Sequence, residues 1–390
     1  MASDQPRFTV DGNRLTLLVE GGQRLDTLID LIEGARTSLR LLFYIYADDA
    51  SGTRVRDALI AARTRGVRVG LIIDGFGSAD AQPAFFEPLR AAGVELCRFS
   101  ARWGRRYLLR NHQKLALADA EAGGDARVIV GGFNVEDDYF GDPGDAAWRD
   151  LGLLVEGPAA TRMGAYYDDL HHAIRQPKAR VRPLNRMLAR YSEREGRLRW
   201  LIGGPTRRLS PWAQTLRADI ARGRRLDMIA AYFTPGPLLL RRIEKAGRRT
   251  TAVRVVTAAK SDNGATIAAA RFSYAGLLKR GVRIFEYQPT KLHTKLYVVD
   301  DAVHIGSANF DMRSLFINLE LMLRIEDAAF ADHVRRYIDG EVAQSREVTW
   351  EGYRAATGWW QRAKQFAAYL MLAVVDPHVS RGLNFGVDEA

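Results

Sequence analysis

The chain has 390 residues, 47% of them hydrophobic, and a formal charge of +11 with an isoelectric point near 9.8; this allows two ordinary domains with their own cores, excludes a disordered or fibrous class, and calls for an anionic partner. Its one cysteine, Cys97, excludes a disulfide framework or thiolate cluster and fits a reducing compartment. With no signal-like N-terminus and no run of about 18 apolar residues, the expectation is a soluble or peripheral protein without signal peptide or transmembrane segment.

In chain order, residues 22–36 read as an amphipathic helix and Leu39 to Ala47 as a buried strand. A helix with Val55, Leu59 and Ile60 inward ends at Gly66, and a strand runs from Val67 to Ile73. A helix over 84–92, a strand from Val94 to Phe99, a basic loop and a strand starting at His112 complete this series. The order then recurs: strand 226–233, helix 236–247, strand Val253 to Val256, helix 266–279, strand Val282 to Tyr287 and a strand starting at His293. Such alternation indicates an α/β layer architecture, and the recurrence indicates a tandem duplication. Gly281 follows Gly93 by 188 residues, His293 follows His112 by 181 and Asn309 follows Asn134 by 175; different loop lengths account for the drift. The expected division is a first domain over 1–175, an arginine-rich linker over 176–200 containing Pro177 and Pro183, a second domain over 201–348, and a C-terminal amphipathic extension over 349–390.

Two stretches carry chemistry. Residues 112–119 and 293–300 share one spacing, His-x-Lys-x4-Asp, giving His112, Lys114 and Asp119 in the first half and His293, Lys295 and Asp300 in the second. On a strand, residues two apart point to one face, so each half pairs an imidazole with an ammonium, a combination suited to handling a phosphoryl anion. Each pattern is followed by a glycine turn with a carboxamide: Gly131-Gly132-Phe133-Asn134 and Gly306-Ser307-Ala308-Asn309. The glycines permit close backbone approach, and Asn134, Asn309 and Ser307 can hydrogen-bond the same oxygens. His171, His172, His304, His333 and His378 have no comparable setting and receive no role.

These residues, with Tyr44-Ile45-Tyr46, Asp49, Gly52, Arg65-Gly66-Val67, Tyr139, Trp148-Arg149-Asp150, Lys260-Ser261-Asp262, Tyr274 and the run from Arg313-Ser314 to Asn318-Leu319-Glu320, resemble the phospholipase D superfamily. Within it they are similar to the bacterial cardiolipin synthases, of a type without N-terminal membrane spans. The resemblance implies two pseudo-symmetric α-β-α sandwiches packed face to face around one phosphate. It implies His112 as nucleophile, forming a phosphohistidine, and His293 as general acid and base in a ping-pong reaction. Lys114, Lys295, Asn134 and Asn309 would hold the nonbridging oxygens. An acidic residue orienting each imidazole is also implied: Glu320, 11 residues past Asn309 and assigned to His293, with Asp150 as first-half counterpart. Asp119 and Asp300 enter the candidate catalytic set as members of the pattern but read as structural, being on a strand some distance from the phosphate. Two lysines and two imidazoles supply the positive charge, so no metal and no other cofactor is expected.

The expected activity is transfer of a phosphatidyl group onto phosphatidylglycerol, forming cardiolipin. Hydrolysis of phospholipid to phosphatidic acid is the alternative, followed by a nucleic-acid phosphodiesterase suggested by the charge and by a non-enzymatic lipid scaffold. The expected partners are phosphatidylglycerol and the cytoplasmic face of the bacterial inner membrane, bound peripherally; nucleic acid is not expected, and one chain suffices for a complete site, its oligomeric state being left open. Arg102, Arg105, Arg106 and Arg110, interleaved with Trp103 and Tyr107, could recruit anionic lipid, bind nucleic acid or form a solvated loop, with Arg106, Arg110, Tyr139 and Ser307 as substrate-binding candidates. Trp359, Ala363, Phe366, Leu370 and Val374 share one helical face, as core packing or an interfacial helix would place them. Gly132 against Ser307, and Leu151-Gly152 after Trp-Arg-Asp, depart from the family pattern and make the half-sites unequal.

Overall fold

A computed structural model describes residues 6–100, 109–141, 146–176, 181–206, 209–249 and 252–375. The first half contributes β1 (Arg7–Val10), β2 (Asn13–Leu18), α1 (Gly21–Glu33), β3 (Ser38–Phe43), α2 (Ala50–Thr64), β4 (Arg68–Asp74), α3 (Glu87–Ala91), β5 (Glu95–Phe99), β6 (Leu115–Ala118), β7 (Arg127–Gly131), β8 (Gly152–Glu156) and α4 (Pro158–Arg175). After α5 (Val181–Tyr191), the second half contributes β9 (Leu198–Gly203), α6 (Pro211–Arg222), β10 (Arg225–Ala230), β11 (Phe233–Thr234), α7 (Pro237–Arg249), β12 (Ala252–Ala258), α8 (Gly264–Leu278), β13 (Arg283–Tyr287), β14 (Lys295–Val299), β15 (Ala302–Gly306), β16 (Phe310–Asp311), α9 (Met312–Phe316), β17 (Glu320–Glu326), α10 (Ala328–Ala343) and β18 (Ser345–Val348). The chain continues into α11 (Trp350–Ala356) and α12 (Trp359–Leu370).

The strands form two eight-stranded sheets, ordered β1-β2-β8-β7-β6-β3-β4-β5 and β18-β13-β12-β10-β14-β15-β17-β9. From β2 to β5 the first order matches the second read from β9 to β13, so the duplication extends to seven strands and takes in β9, which begins inside the segment read as linker. Within these two sheets β3-β4-β5 and β10-β12-β13 run parallel and the hairpins that follow each histidine are antiparallel, while β11 and β16 pair in parallel as a separate two-stranded sheet. Helices α1 to α3 cover one face of the first sheet and α6 to α9 one face of the second. A third core, formed by the inward sheet faces with α4, α5 and α10, is continuous across both halves. Burial of this kind, rather than helix propensity, supplies most of the stabilisation.

Local chemistry sets several element ends differently from the periodicity. Pro88 at the start of α3 follows a 3-10 turn over Pro83–Phe86, so the helix expected over 84–92 is two short pieces. β3 ends at Phe43 because the Asn134 carboxamide captures the Ile45 amide at 3.1 Å and Ala47 bonds to Val135, which turns Tyr44 out of the sheet. Asp49 caps α2 through the Gly52 amide at 2.7 Å, and a Cβ at Gly52 would lie 2.0 Å from the Ala47 carbonyl oxygen. The strands expected to start at His112 and His293 start at Leu115 and Lys295 instead. The stretches holding the histidines leave their own sheets to pair with the other half.

Candidate active site

That pairing has the same form twice. The His112 amide donates to the Leu319 carbonyl at 2.9 Å, and the Leu319 amide donates to the Arg110 carbonyl at 2.9 Å. In the other half the His293 amide donates to the Arg149 carbonyl at 2.8 Å, and the Arg149 amide to the Lys291 carbonyl at 2.8 Å. Leu319 precedes Glu320 and Arg149 precedes Asp150, so each histidine lies beside the carboxylate of the opposite repeat. Glu320 therefore orients His112, its oxygens both 3.1 Å from Nδ1, and Asp150 orients His293 at 2.6 Å. The pairing of Glu320 with His293 expected from the sequence is corrected: backbone bridges between the halves cross the partners. A carboxylate can only accept, so each favours a proton on Nδ1 and an Nε2 free for chemistry.

Both carboxylates are fully buried. Burial raises the pKa of Glu320, but His112 and Lys114 outweigh it; at Asp150 the same opposition is won by His293 and Lys295, so both stay below the ordinary carboxylate range. Ser307 and Ser314 donate to Glu320 at 2.5 and 2.8 Å. This corrects the substrate-binding assignment of Ser307, which is buried behind the carboxylate. At the equivalent position a Cβ on Gly132 would lie 2.4 Å from an oxygen of Asp150, so the shorter carboxylate sits against the backbone where Glu320 meets a serine. The Gly132/Ser307 departure is thus a matched exchange. Arg24, itself buried, donates to the carbonyls of Val19, Asp150 and Tyr139, each at 2.7 Å, and fixes the segment carrying Asp150.

His112 and His293 open onto one cavity of about 430 Å³ between the repeats. Asn134, Asn309, Arg110 and Tyr139 line it, together with Tyr44, Trp148, Tyr232, Asp262, Arg313 and Asn318. Lys114 and Lys295 lie behind the imidazoles, each ammonium donating to the carbonyl of its own histidine. Arg106 and the rest of the loop expected to recruit lipid, apart from Arg110, fall outside the described residues. The Arg110 guanidinium lies 3.8 Å from the centroid of the Phe76 ring.

The two imidazoles have unequal surroundings. Tyr44 meets His112 edge-on at 5.0 Å, whereas Tyr139, Trp148 and Tyr232 all present edges to His293, at 5.1, 5.2 and 6.3 Å. Burial lowers the His112 pKa; burial and then Lys295, 2.7 Å from Nδ1, push His293 down to about 3. Burial also pushes the Lys295 ammonium down to about 8. Of this aromatic wall, Tyr139 and Trp148 stand among the residues singled out in the sequence, whereas Tyr232 does not.

Asp119 and Asp300 stand apart from the cavity. Both adopt positive φ, 54° and 48°, at the strand ends. Asp119 accepts from the amides of Arg36, Thr37 and Ser38 and from the Thr37 hydroxyl, while Asp300 accepts from the amides of Arg224 and Arg225. They tie the histidine-bearing hairpins to the neighbouring strands, and from this placement we propose a structural role for both. Asp119→Ala should cost about 2–4 kcal/mol of unfolding free energy, from lost bonds and a strained alanine φ, and Asp119→Asn less. Urea melts measure this, with kcat/KM of the folded variant within about tenfold of the parent; a catalytic loss without destabilisation would contradict the assignment. His304, given no role, bonds Asp219 at 2.8 Å in a buried cluster with Arg324.

Paired imidazoles, each set by a carboxylate and sharing one cavity between duplicated α/β halves, define a phosphodiester-processing enzyme of the phospholipase D superfamily type. The family profile described as "Cardiolipin synthase, PLD-like domain" matches residues 28–162 and 216–341, one segment in each repeat. The chain is 32% identical over 350 residues to cardiolipin synthase A of Pseudomonas entomophila, covering 88% of this chain and 71% of that one. It is 30% identical over 357 residues to cardiolipin synthase 1 of Bacillus anthracis, covering 88% and 69%. Phosphatidylserine synthase of Haemophilus influenzae shares the fold with a TM-score of 0.71 at 13% identity, over 98% of this chain and 97% of that one. The chain belongs to the cardiolipin synthase family of phospholipase D-like enzymes. Among the described residues, no helix is long and apolar enough to cross a membrane.

Proposed function

We propose that the protein transfers a phosphatidyl group onto the glycerol hydroxyl of phosphatidylglycerol, forming cardiolipin and releasing glycerol, at the cytoplasmic face of the bacterial inner membrane. The observation that carries this reading is the cavity itself: two imidazoles with Nδ1 engaged from behind, in a chain matched to this family in both repeats. His112 Nε2 attacks phosphorus and forms a P–N bond as the P–O bond to the leaving glycerol breaks, and His293 gives that oxygen its proton. His293 then takes the proton of the incoming hydroxyl, whose oxygen displaces His112 and regenerates it. Lys114, Lys295, Asn134 and Asn309 stabilise the charge on the nonbridging oxygens. An acceptor on the cavity suits a polyol headgroup: the Asp262 carboxylate, to which Tyr232 donates at 2.7 Å. Alcohol must also compete with water, and Tyr139, Trp148 and Tyr232 around His293 favour that by excluding solvent.

Purified protein incubated with labelled phosphatidylglycerol vesicles should yield cardiolipin and glycerol. Phosphatidic acid alone would overturn the transferase reading in favour of hydrolysis, and cleavage of single-stranded DNA without lipid turnover would assign a nuclease.

In the empty cavity, burial and the lysine charges hold the imidazoles neutral; an arriving phosphodiester anion offsets those charges and raises the histidine pKa values, so binding takes up protons. Affinity for a phosphonate analogue of phosphatidylglycerol should therefore weaken as pH rises, with a marked loss above about pH 8, where Lys295 gives up its proton in the free protein. Calorimetry in buffers of different ionisation enthalpy reads the uptake directly; proton release, or affinity that rises with pH, would contradict it.

A further inference from the structure

Helix α12 has one narrow inward face and a broad uncovered one. Gln365, Tyr369 and Ala373, four apart, face the body of the protein. The Tyr369 hydroxyl donates to the Pro235 carbonyl at 2.9 Å, and its ring lies 5.0 Å from Phe272 on α8. Trp359, Trp360 and Met371, by contrast, are 80%, 59% and 58% exposed, and Phe366, Leu370, Val374 and Val375 are exposed with them. A stripe that served core packing would be covered; this one is not. A contiguous ridge of this size is unusual on a protein surface and marks an interaction site.

Its position and charge identify the occupant. Leu372, in the turn that continues α12, lines the mouth of the catalytic cavity, and Phe76, 63% exposed, stands on the lip formed by the first repeat. Apolar groups from the first repeat and from the C-terminal helix thus line the cavity, with Arg110 and Arg313 beside them. No acidic residue occurs from Trp359 to Val375, whereas Arg362 and Lys364 lie on the helix, the Lys364 ammonium 5.6 Å over the Trp360 ring. Tryptophans beside cations suit the headgroup layer, where an indole buries its face and keeps its N–H wet. A second copy of the chain would bring like charges together.

We propose that the ridge from Trp359 to Val375 docks on an anionic lipid bilayer and seats the cavity mouth at headgroup depth, so that a phospholipid reaches His112 and His293 without leaving the membrane. This rests on the phospholipid-substrate reading and adds the surface by which the substrate is met. The full chain should sediment with phosphatidylglycerol vesicles and much less with phosphatidylcholine vesicles. Its tryptophan emission should be quenched by lipids brominated on the acyl chain. The double variant Trp359→Ser/Phe366→Ser should lose at least about tenfold in vesicle affinity, yet turn over monomeric short-chain phosphatidylglycerol as the parent does. Unchanged vesicle affinity in that variant would overturn the proposal, as would a dimer of the parent that the variant dissolves, which would assign the ridge to a second copy. Vesicle binding without turnover of either lipid form would leave docking standing and sink the proposed reaction; turnover of monomeric lipid without vesicle binding would do the reverse.

Discussion

His293→Ala is expected to release p-nitrophenol from phosphatidyl-p-nitrophenol in a stoichiometric burst and then stall, with the phosphatidyl group left on His112. Nitrophenolate departs without a proton, so the first half of the reaction survives loss of the acid, while the second lacks the base that activates the acceptor hydroxyl. His112→Ala should show no burst, because the atom that attacks phosphorus is gone. With phosphatidylglycerol, whose leaving alkoxide needs a proton, each variant should lose at least about 10⁴-fold in turnover. Rapid-quench kinetics and mass spectrometry of the trapped chain decide the matter. A burst confined to His112→Ala would exchange the two roles, and a burst in neither would remove the covalent route.

The crossed pairing yields the second large effect. Glu320→Gln and Asp150→Asn each replace an acceptor-only carboxylate by an amide that can present its N–H to the ring, favouring the wrong tautomer. Each should reduce turnover of phosphatidylglycerol by about 10²- to 10⁴-fold, the range over which positioned acid–base groups act. The nitrophenyl ester separates them. Glu320→Gln acts on His112 and should slow the burst itself, whereas Asp150→Asn acts on His293 and should leave the burst fast and the following turnover slow. The opposite assignment of slow steps would contradict the 3.1 Å and 2.6 Å contacts as the working arrangement.

Much of the molecule is legible in its residues. The alternation of apolar runs and glycine turns places nearly every strand of the parallel part of each sheet, and the shared spacing of His112–Lys114 and His293–Lys295 exposes the duplication. Asn134 and Asn309 follow in glycine turns of the same form, at offsets that differ with the loop lengths of the two halves. Edges fare worse: β3 stops at Phe43 although apolar character runs on, because the Asn134 carboxamide, 89 residues away, captures the Ile45 amide. Ser307 reads as a group for the substrate because it lies next to the asparagine turn. Its hydroxyl instead meets Glu320, which the chain brings back 13 residues later.

The sequence by itself determined the two imidazole–ammonium pairs, the asparagine turns and the repeat, since the pairs and turns depend on spacings of a few residues that strand and turn geometry convert into a common face, whereas the two carboxylates come only from the family resemblance. Only the tertiary structure decided which carboxylate serves which histidine, which aromatic rings enclose His293, and that the C-terminal ridge lies uncovered beside the cavity. The physical reason is separation along the chain. Glu320 and His112 stand 208 residues apart and Asp150 and His293 stand 143 apart, and backbone bridges between the repeats, to which any side chain can contribute equally, bring them together.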